Sequence, residues 1–178
     1  MKVNDEYILD DKTKVIIREV ETSDAFSLVD YIAKVGGESD NLTFGSGGFG
    51  LTINKEVEII EKYKKGNGLW IVAFINDELV GNSNLDVSSR ERLKHTSSLG
   101  ITVLKKYWGN GIGNLMMKTM VNYAKTTRLE IITLSVRTDN FAAINLYKKW
   151  GFEIIGTYKK NLKIDERYFD TYIMHRYL

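Results

Sequence analysis

Residues 105–114, Lys105-Lys106-Tyr107-Trp108-Gly109-Asn110-Gly111-Ile112-Gly113-Asn114, join an apolar strand pattern to a long amphipathic helix pattern. Glycine at 109, 111 and 113 removes every second Cβ, so the chain can turn sharply and its backbone N–H groups can converge on an anion. The helix that follows points its positive end and its unpaired amides at the same place. A diphosphate bound there would satisfy donors that otherwise need water. The stretch reads as a pyrophosphate cradle; the competing reading is a glycine-rich strand-to-helix turn.

Upstream of the loop, Thr96 to Val103 reads as a strand with Leu99, Ile101 and Val103 on one face. Downstream, Ile112, Leu115, Met116, Met120, Tyr123 and Ala124 keep helical spacing, with the methionines as core filling. Ile131 to Val136 is unbroken and apolar, as in a buried strand. Strand, helix and strand in succession imply a right-handed crossover and a parallel pair. Arg137-Thr138-Asp139-Asn140 then leads into a short helix from Phe141, capped by Asp139 or Asn140 and closed by a left-handed Gly151. Glu153 to Lys160 and Arg167 to Tyr177 finish the chain as strands joined around Ile164-Asp165-Glu166.

On the N-terminal side, Lys14 to Glu19 reads as the first strand. Thr22 or Ser23 caps a helix with Phe26, Val29, Ile32 and Ala33 on one face, ending before Gly36-Gly37. Thr52 or Asn54 caps a second helix with Ile53, Val57 and Ile60 inward, running to Lys65 and stopped by Gly66. Leu69 to Ile75 and Leu79 to Val87 flank Asn76-Asp77-Glu78, a hairpin signal, and Ser88 to Lys94 is a polar loop. Gly45-Ser46-Gly47-Gly48-Phe49-Gly50 matches G-x-G-x-x-G as a string, but no adequate strand precedes it and no acidic residue ends a second strand at the right distance. It reads as a flexible loop that shapes a substrate entrance. The fold class expected is α/β (α+β, with a mixed sheet): about seven strands and about four helices, antiparallel in the N-terminal part, with one parallel pair.

Composition bounds the function. A chain of 178 residues fits one domain with a substantial core. With 43% hydrophobic and 27% charged residues it is ordinary for a soluble protein. The formal charge of +2 is nearly balanced and the basic residues are spread out, so nucleic acid is not suggested. No cysteine means no disulfide, no thiol nucleophile and no cysteine-ligated metal. His95 and His175 show no metal-ligand spacing. Met1 to Asp11 is acidic and lacks the apolar core of a signal peptide, and no run reaches the roughly 18 apolar residues of a membrane span. The expectation is a cytoplasmic protein without metal or membrane.

Two motifs carry a family resemblance. Trp108-Gly109-Asn110-Gly111-Ile112-Gly113 resembles the acyl-CoA pyrophosphate loop of the GNAT superfamily of N-acetyltransferases, and Asn140 to Phe152 resembles its second signature. Their separation, one helix and one strand, also matches. The resemblance implies a single N-acetyltransferase domain over residues 1–178, in which the two parallel strands splay apart and the pantetheine arm of acetyl-CoA lies in the gap. It implies that backbone N–H groups near Ile101 and Val103 bond that arm and polarise the thioester. Losing one such donor typically costs roughly a hundredfold in rate. The loop residues Trp108, Gly109, Asn110, Gly111, Ile112, Gly113 and Asn114 would hold the diphosphate. Asn140 would contact the arm from the other side, and the Tyr147 phenol would protonate the departing thiolate. Tyr147 as a core aromatic and Asn140 as a helix cap are the competing readings.

The chain departs from the family pattern twice. Trp108 stands where Arg or Gln is common, so the loop loses a polar or cationic side chain that Lys105 or Lys106 could replace. Ser135 stands where several members carry a glutamate base, and serine cannot take a proton from an ammonium. Candidates for the base are Glu38, in the segment where the family's acceptor loop lies, His95, Asp86 and a water chain. The implied reaction is direct attack of a primary amine, of a small molecule or a protein, on acetyl-CoA with no covalent enzyme intermediate. A non-catalytic acyl-CoA sensor is the alternative. The identity of the acceptor stays open, as does the oligomeric state, although a homodimer is common in the family.

Overall fold

A computed structural model describes residues 2–66 and 68–178. Its frame is one eight-stranded sheet in the order β1-β2-β3-β4-β5-β6-β8-β7. The strands are β1 (Asn4–Ile8), β2 (Lys14–Glu19), β3 (Leu69–Ile75), β4 (Glu78–Val87), β5 (Thr96–Val103), β6 (Ile131–Arg137), β7 (Glu153–Ile164) and β8 (Arg167–Tyr177). The mixed sheet and the four helices agree with the expectation, and the strand count is one higher. The extra strand is β1, whose five residues Asn-Asp-Glu-Tyr-Ile carry no apolar alternation and lie mostly exposed. It forms by antiparallel pairing with β2 at the sheet edge, where a charged outer strand is an ordinary solution.

Both tight hairpins use the same chemistry. Asn76 and Asp77 sit at φ 47 and 63, and Asp165 and Glu166 at 45 and 63, the paired left-handed residues of a two-residue turn that matches strand twist.

Helices α1 (Ala25–Glu38) and α2 (Ile53–Lys64) cover one face of the sheet, where Leu28, Tyr31, Val35 and Ile60 meet Val72, Leu79 and Leu104. Helices α3 (Ile112–Ala124) and α4 (Phe141–Lys149) cover the other, where the buried methionines Met116, Met117 and Met120 meet Ile71, Val80, Leu85 and Ile132. Each of those methionines is fully buried and is worth about 1.5–3 kcal/mol of transfer free energy.

Three local expectations are corrected. The inward stripe of α1 is Ala25, Leu28, Tyr31 and Val35, while Phe26 is 69% exposed, so the true face lies one position over from the one that the apolar spacing suggested. The helix also runs through Gly36-Gly37, because a Cβ at Gly36 would collide with the Gly45 carbonyl: that glycine allows close packing rather than ending the helix. The glycine loop 45–50 is seated on α1, with the Gly47 amide donating to the Ala33 carbonyl at 3.3 Å and Phe49 against Phe44. In α2, Thr52 is the cap, accepting from the Lys55 amide at 3.3 Å, but Ile53 is 44% exposed and Glu56 is buried in its place.

The parallel pair is the feature that positions the site. β5 and β6 are in register only at Thr96 with Ile131, Ser97 with Ile132 and Ser98 with Thr133. Beyond that, β5 stays bonded to β4 as far as Val103, and β6 stays bonded to β8 as far as Arg137. The two strands therefore part, leaving a gap between residues 99–103 and 134–137.

Candidate active site

The register fixes what lines the gap. The Leu104 amide donates to the Val80 carbonyl at 2.9 Å, and strand amides alternate sides, so the amides of Gly100, Thr102 and Leu104 turn to β4. Those of Leu99, Ile101 and Val103 turn to the open side. Ile101 and Val103 thus present N–H and C=O groups to the gap. The Val103 carbonyl accepts the indole N–H of Trp108 at 2.7 Å. Trp108 is thereby tied to the last residue of β5, with 46% of its surface exposed.

At the start of α3 two glycines carry the chain through left-handed backbone. Gly109 and Gly111 sit at φ 80 and 85, and Gly111 is the left-handed N-cap. A Cβ on either would meet nothing within 4 Å, so torsion rather than crowding demands glycine, and the space before the loop is open. Gly113 is different, since its Cβ would lie 3.4 Å from Leu146, where α3 approaches α4. Among the described residues no protein acceptor meets the amides of Gly109, Asn110, Gly111, Ile112, Gly113 or Asn114; the Leu115 amide is the first to bond, to the Gly111 carbonyl. Ile112, 1% exposed, anchors this turn in the core. The Asn114 side chain accepts the Trp150 indole N–H at 3.1 Å, which commits it to the α3–α4 contact and leaves its amide for a ligand. Lys106 is held by Glu78 at 2.7 Å.

On α4, Asn140 is the N-cap, its side-chain oxygen accepting the Ala143 amide at 3.3 Å. Tyr147 is 8% exposed, its ring tilted at 56° against Phe152 with centroids 5.9 Å apart, and its hydroxyl has no protein partner among the described residues. Burial pushes its pKa up to about 12, so it stays protonated at neutral pH. It belongs to the core on the α3–α4 face.

The base candidates separate. Glu38 is the last residue of α1, and one of its carboxylate oxygens accepts the Lys105 amide at 2.6 Å, at the open end of β5. His95 precedes β5, its carbonyl bonded to the Glu130 and Ile131 amides, and Asp86 pairs with Ser98. Both stand at the closed end of the parallel pair. Ser135 is exposed on the face opposite the methionine core.

Two features escaped the sequence. Arg137 is buried, donates to both Asp139 oxygens at 2.9 and 2.6 Å and to the Asp40 carbonyl at 2.8 Å, and stacks on Phe169 at 3.8 Å. An arginine ending an apolar strand was the visible signal. The second is a cavity of about 300 Å³ between α1, α2, β3 and β4, lined by Phe49, Glu56, Tyr63, Trp70 and Asn84 among others. No helix among the described residues is long and apolar enough to cross a membrane. Nor do three His, Asp or Glu side chains among them form a metal-holding group.

The chain is similar to known proteins in sequence and in fold. The L-amino acid N-acetyltransferase AaaT of Escherichia coli is 37% identical over 107 residues, which span 60% of this chain and 66% of that protein, just under two thirds of its length. An acetyltransferase of GNAT family from Streptococcus pneumoniae has 32% identity and a TM-score of 0.89, with 92% of this chain and 99% of that one covered. A Salmonella typhimurium protein of acetyltransferase type, solved with its cofactor acetyl-CoA, shares the fold at a TM-score of 0.81 and 15% identity, over 92% of this chain and 94% of that one. Residues 47–152 match the family model described as Acetyltransferase (GNAT) family, and with that match over more than half its length the chain belongs to this family.

Proposed function

We propose that the protein is an acetyl-CoA-dependent N-acetyltransferase that passes the acetyl group directly to a primary amine. The observation that carries this is the row of unpartnered amides from Gly109 to Asn114, set at the mouth of the gap beside the free edge of β5. Such donors suit a diphosphate, and the gap suits an extended amide-bearing arm.

The amine nitrogen bonds to the thioester carbonyl carbon, and the carbon–sulfur bond breaks. The Ile101 and Val103 amides, fixed by the β4 ladder on their other side, steady the developing oxyanion. Tyr147 gives its hydroxyl proton to the departing thiolate and regains one from solvent, and its high pKa keeps that proton in place until it is needed. Asn140 orders the start of α4 and so the direction of Tyr147. An alkylammonium has no lone pair and must lose a proton first. Glu38 is held at the open end of β5 by its bond to the Lys105 amide, and it draws the cationic amine and accepts its proton through water. No thiol is present and no acyl-enzyme is needed.

The test is release of free CoA from acetyl-CoA in the presence of a panel of primary amines, with the acetylated product identified by mass. Amine-dependent release supports the reading. Tight acetyl-CoA binding with no release across the panel would replace it with a non-catalytic acyl-CoA sensor.

A further inference from the structure

The cavity between α1, α2, β3 and β4 contains a carboxylate that no described residue neutralises. Glu56 is 5% exposed and lines the cavity, and among the described residues its side chain makes no ion pair and no hydrogen bond. It does not serve the helix end. Thr52 is the cap and Lys55 occupies the position from which a capping-box glutamate would reach back, one residue before Glu56. Burial pushes its pKa up, the mark of a charge without compensation.

The walls suit an organic cation. Trp70 and Tyr63 meet edge to face at 5.4 Å, and each is fixed at its polar atom: the Trp70 indole donates to the Asn82 side chain and the Tyr63 hydroxyl to the Leu85 carbonyl, both at 2.5 Å. Their rings are held rigid beside Glu56, and aromatic faces with a carboxylate attract ammonium and guanidinium groups. Ile32 and Phe49 complete an apolar lining.

The cavity also leads toward the gap. Asn84 lines it and pairs with Gly100 on β5, whose missing side chain leaves room for the Asn84 carboxamide: a Cβ there would lie 2.6 Å from its oxygen. The far edge of β5 borders the gap. Two interstrand spacings, about 10 Å, separate the β4 floor of the cavity from the middle of the gap.

We propose that this cavity seats a second cationic group of the acceptor. The substrate class is a diamine or polyamine: one amine reaches the gap, and an ammonium further along an apolar spacer docks on Glu56. This rests on the acetyltransferase reading above, and the experiment separates the two.

Thermal shift and calorimetric titration without acetyl-CoA compare spermidine with n-octylamine, which has similar length and no second cation, on the wild type, Glu56→Gln and Ile59→Lys. Ile59 is half-buried, lines the same cavity and lies one helical turn from Glu56, so a lysine there supplies an internal ammonium and covers the case in which Glu56→Gln folds poorly. Spermidine should bind the wild type and lose roughly tenfold or more in affinity in both variants, the size of a charge-assisted hydrogen bond. In turnover, the ratio of kcat/KM for spermidine over octylamine should exceed about tenfold in the wild type and fall toward unity in Glu56→Gln. Acetylation of octylamine with no advantage for spermidine would overturn the cation seat and leave the acetyltransferase reading standing. Spermidine binding that depends on Glu56 with no acetylation of it would overturn the assignment of the cavity to the acceptor.

Discussion

Replacing Gly111 by glutamate tests the cradle, with Gly111→Ala as its control. Gly111 sits at φ 85 with open space where a Cβ would go, so the alanine variant meets torsional strain and no clash. A left-handed conformation costs a non-glycine residue about 1–2 kcal/mol. In a chain of this size that lowers Tm by roughly 2–8 °C and leaves both variants folded at room temperature. Glutamate adds a carboxylate facing the bound diphosphate. Two unit charges at about 4 Å and an effective dielectric constant near 20 repel by about 4 kcal/mol, a factor of roughly a thousand in affinity. Salt screening at an open surface trims this to roughly a hundredfold. Circular dichroism establishes the fold, and isothermal titration with acetyl-CoA gives Kd. Gly111→Ala should bind within a few-fold of the wild type, and Gly111→Glu should bind about a hundred times more weakly. If the two variants, both folded, bind acetyl-CoA within threefold of each other, the diphosphate does not lie on these amides.

Tyr147→Phe should lower kcat by roughly a hundredfold with Kd for acetyl-CoA unchanged, and its Tm should not fall, because the hydroxyl lost has no protein partner; an unchanged kcat removes the acid role. With the Tyr147 pKa pushed up to about 12, kcat/KM should rise with pH as the amine deprotonates and show no falling limb before the protein unfolds; a descending limb near neutrality would point to another acid. Arg137→Met removes three charge-assisted bonds and should cost about 3 kcal/mol, roughly 6–12 °C in Tm, while raising KM for the amine more than for acetyl-CoA; an equal rise in both would disconnect Arg137 from the acceptor side. Glu56→Gln should stabilise the free protein at neutral pH. Because burial raises the folded-state pKa, the penalty is absent below the ordinary glutamate range and grows as pH rises through the folded value, so the Tm gain should shrink between about pH 7 and pH 4; a gain independent of pH would mean that Glu56 is not buried as a charge.

What could be read from the chain divides by range. The strand Thr96 to Val103, the glycine loop and the cap of α4 are encoded locally, in apolar alternation, in glycines that take positive φ and in an asparagine one residue before a helix, and each lies where the sequence indicated. The β1 strand has no such local signature. Its residues are mostly polar, and they are extended because β2 offers an edge, a tertiary cause that no window of five residues contains. The face of α1 failed for a related reason. Phe26 and Val29 fit a helical stripe as well as Leu28 and Val35 do, and the choice is made by where β3, β4 and α2 lie. Glu56 was hidden because a glutamate in the first turns of a helix reads as favourable to the dipole, and only the folded cavity shows that its carboxylate points inward.

The connection between α1 and α2 ties these parts together. The Glu38 carboxylate holds the Lys105 amide just past the end of β5, and two residues later the Asp40 carbonyl holds the Arg137 guanidinium at the end of β6. β5 and β6 have lost contact with each other at these ends, so the segment from Glu38 to Asp40 spans the open side of the gap that their separation creates. The same residues begin the connection that carries Phe49 to the cavity wall, and Lys105 begins the turn that becomes the glycine cradle. The connection after α1 and the turn into α3 are therefore joined by the charge-assisted hydrogen bond between Glu38 and the Lys105 amide. Position 135 on β6 is an exposed serine, and the carboxylate that the fold brings to the open end of β5 is that of Glu38, from the end of α1, through a contact 67 residues apart in sequence.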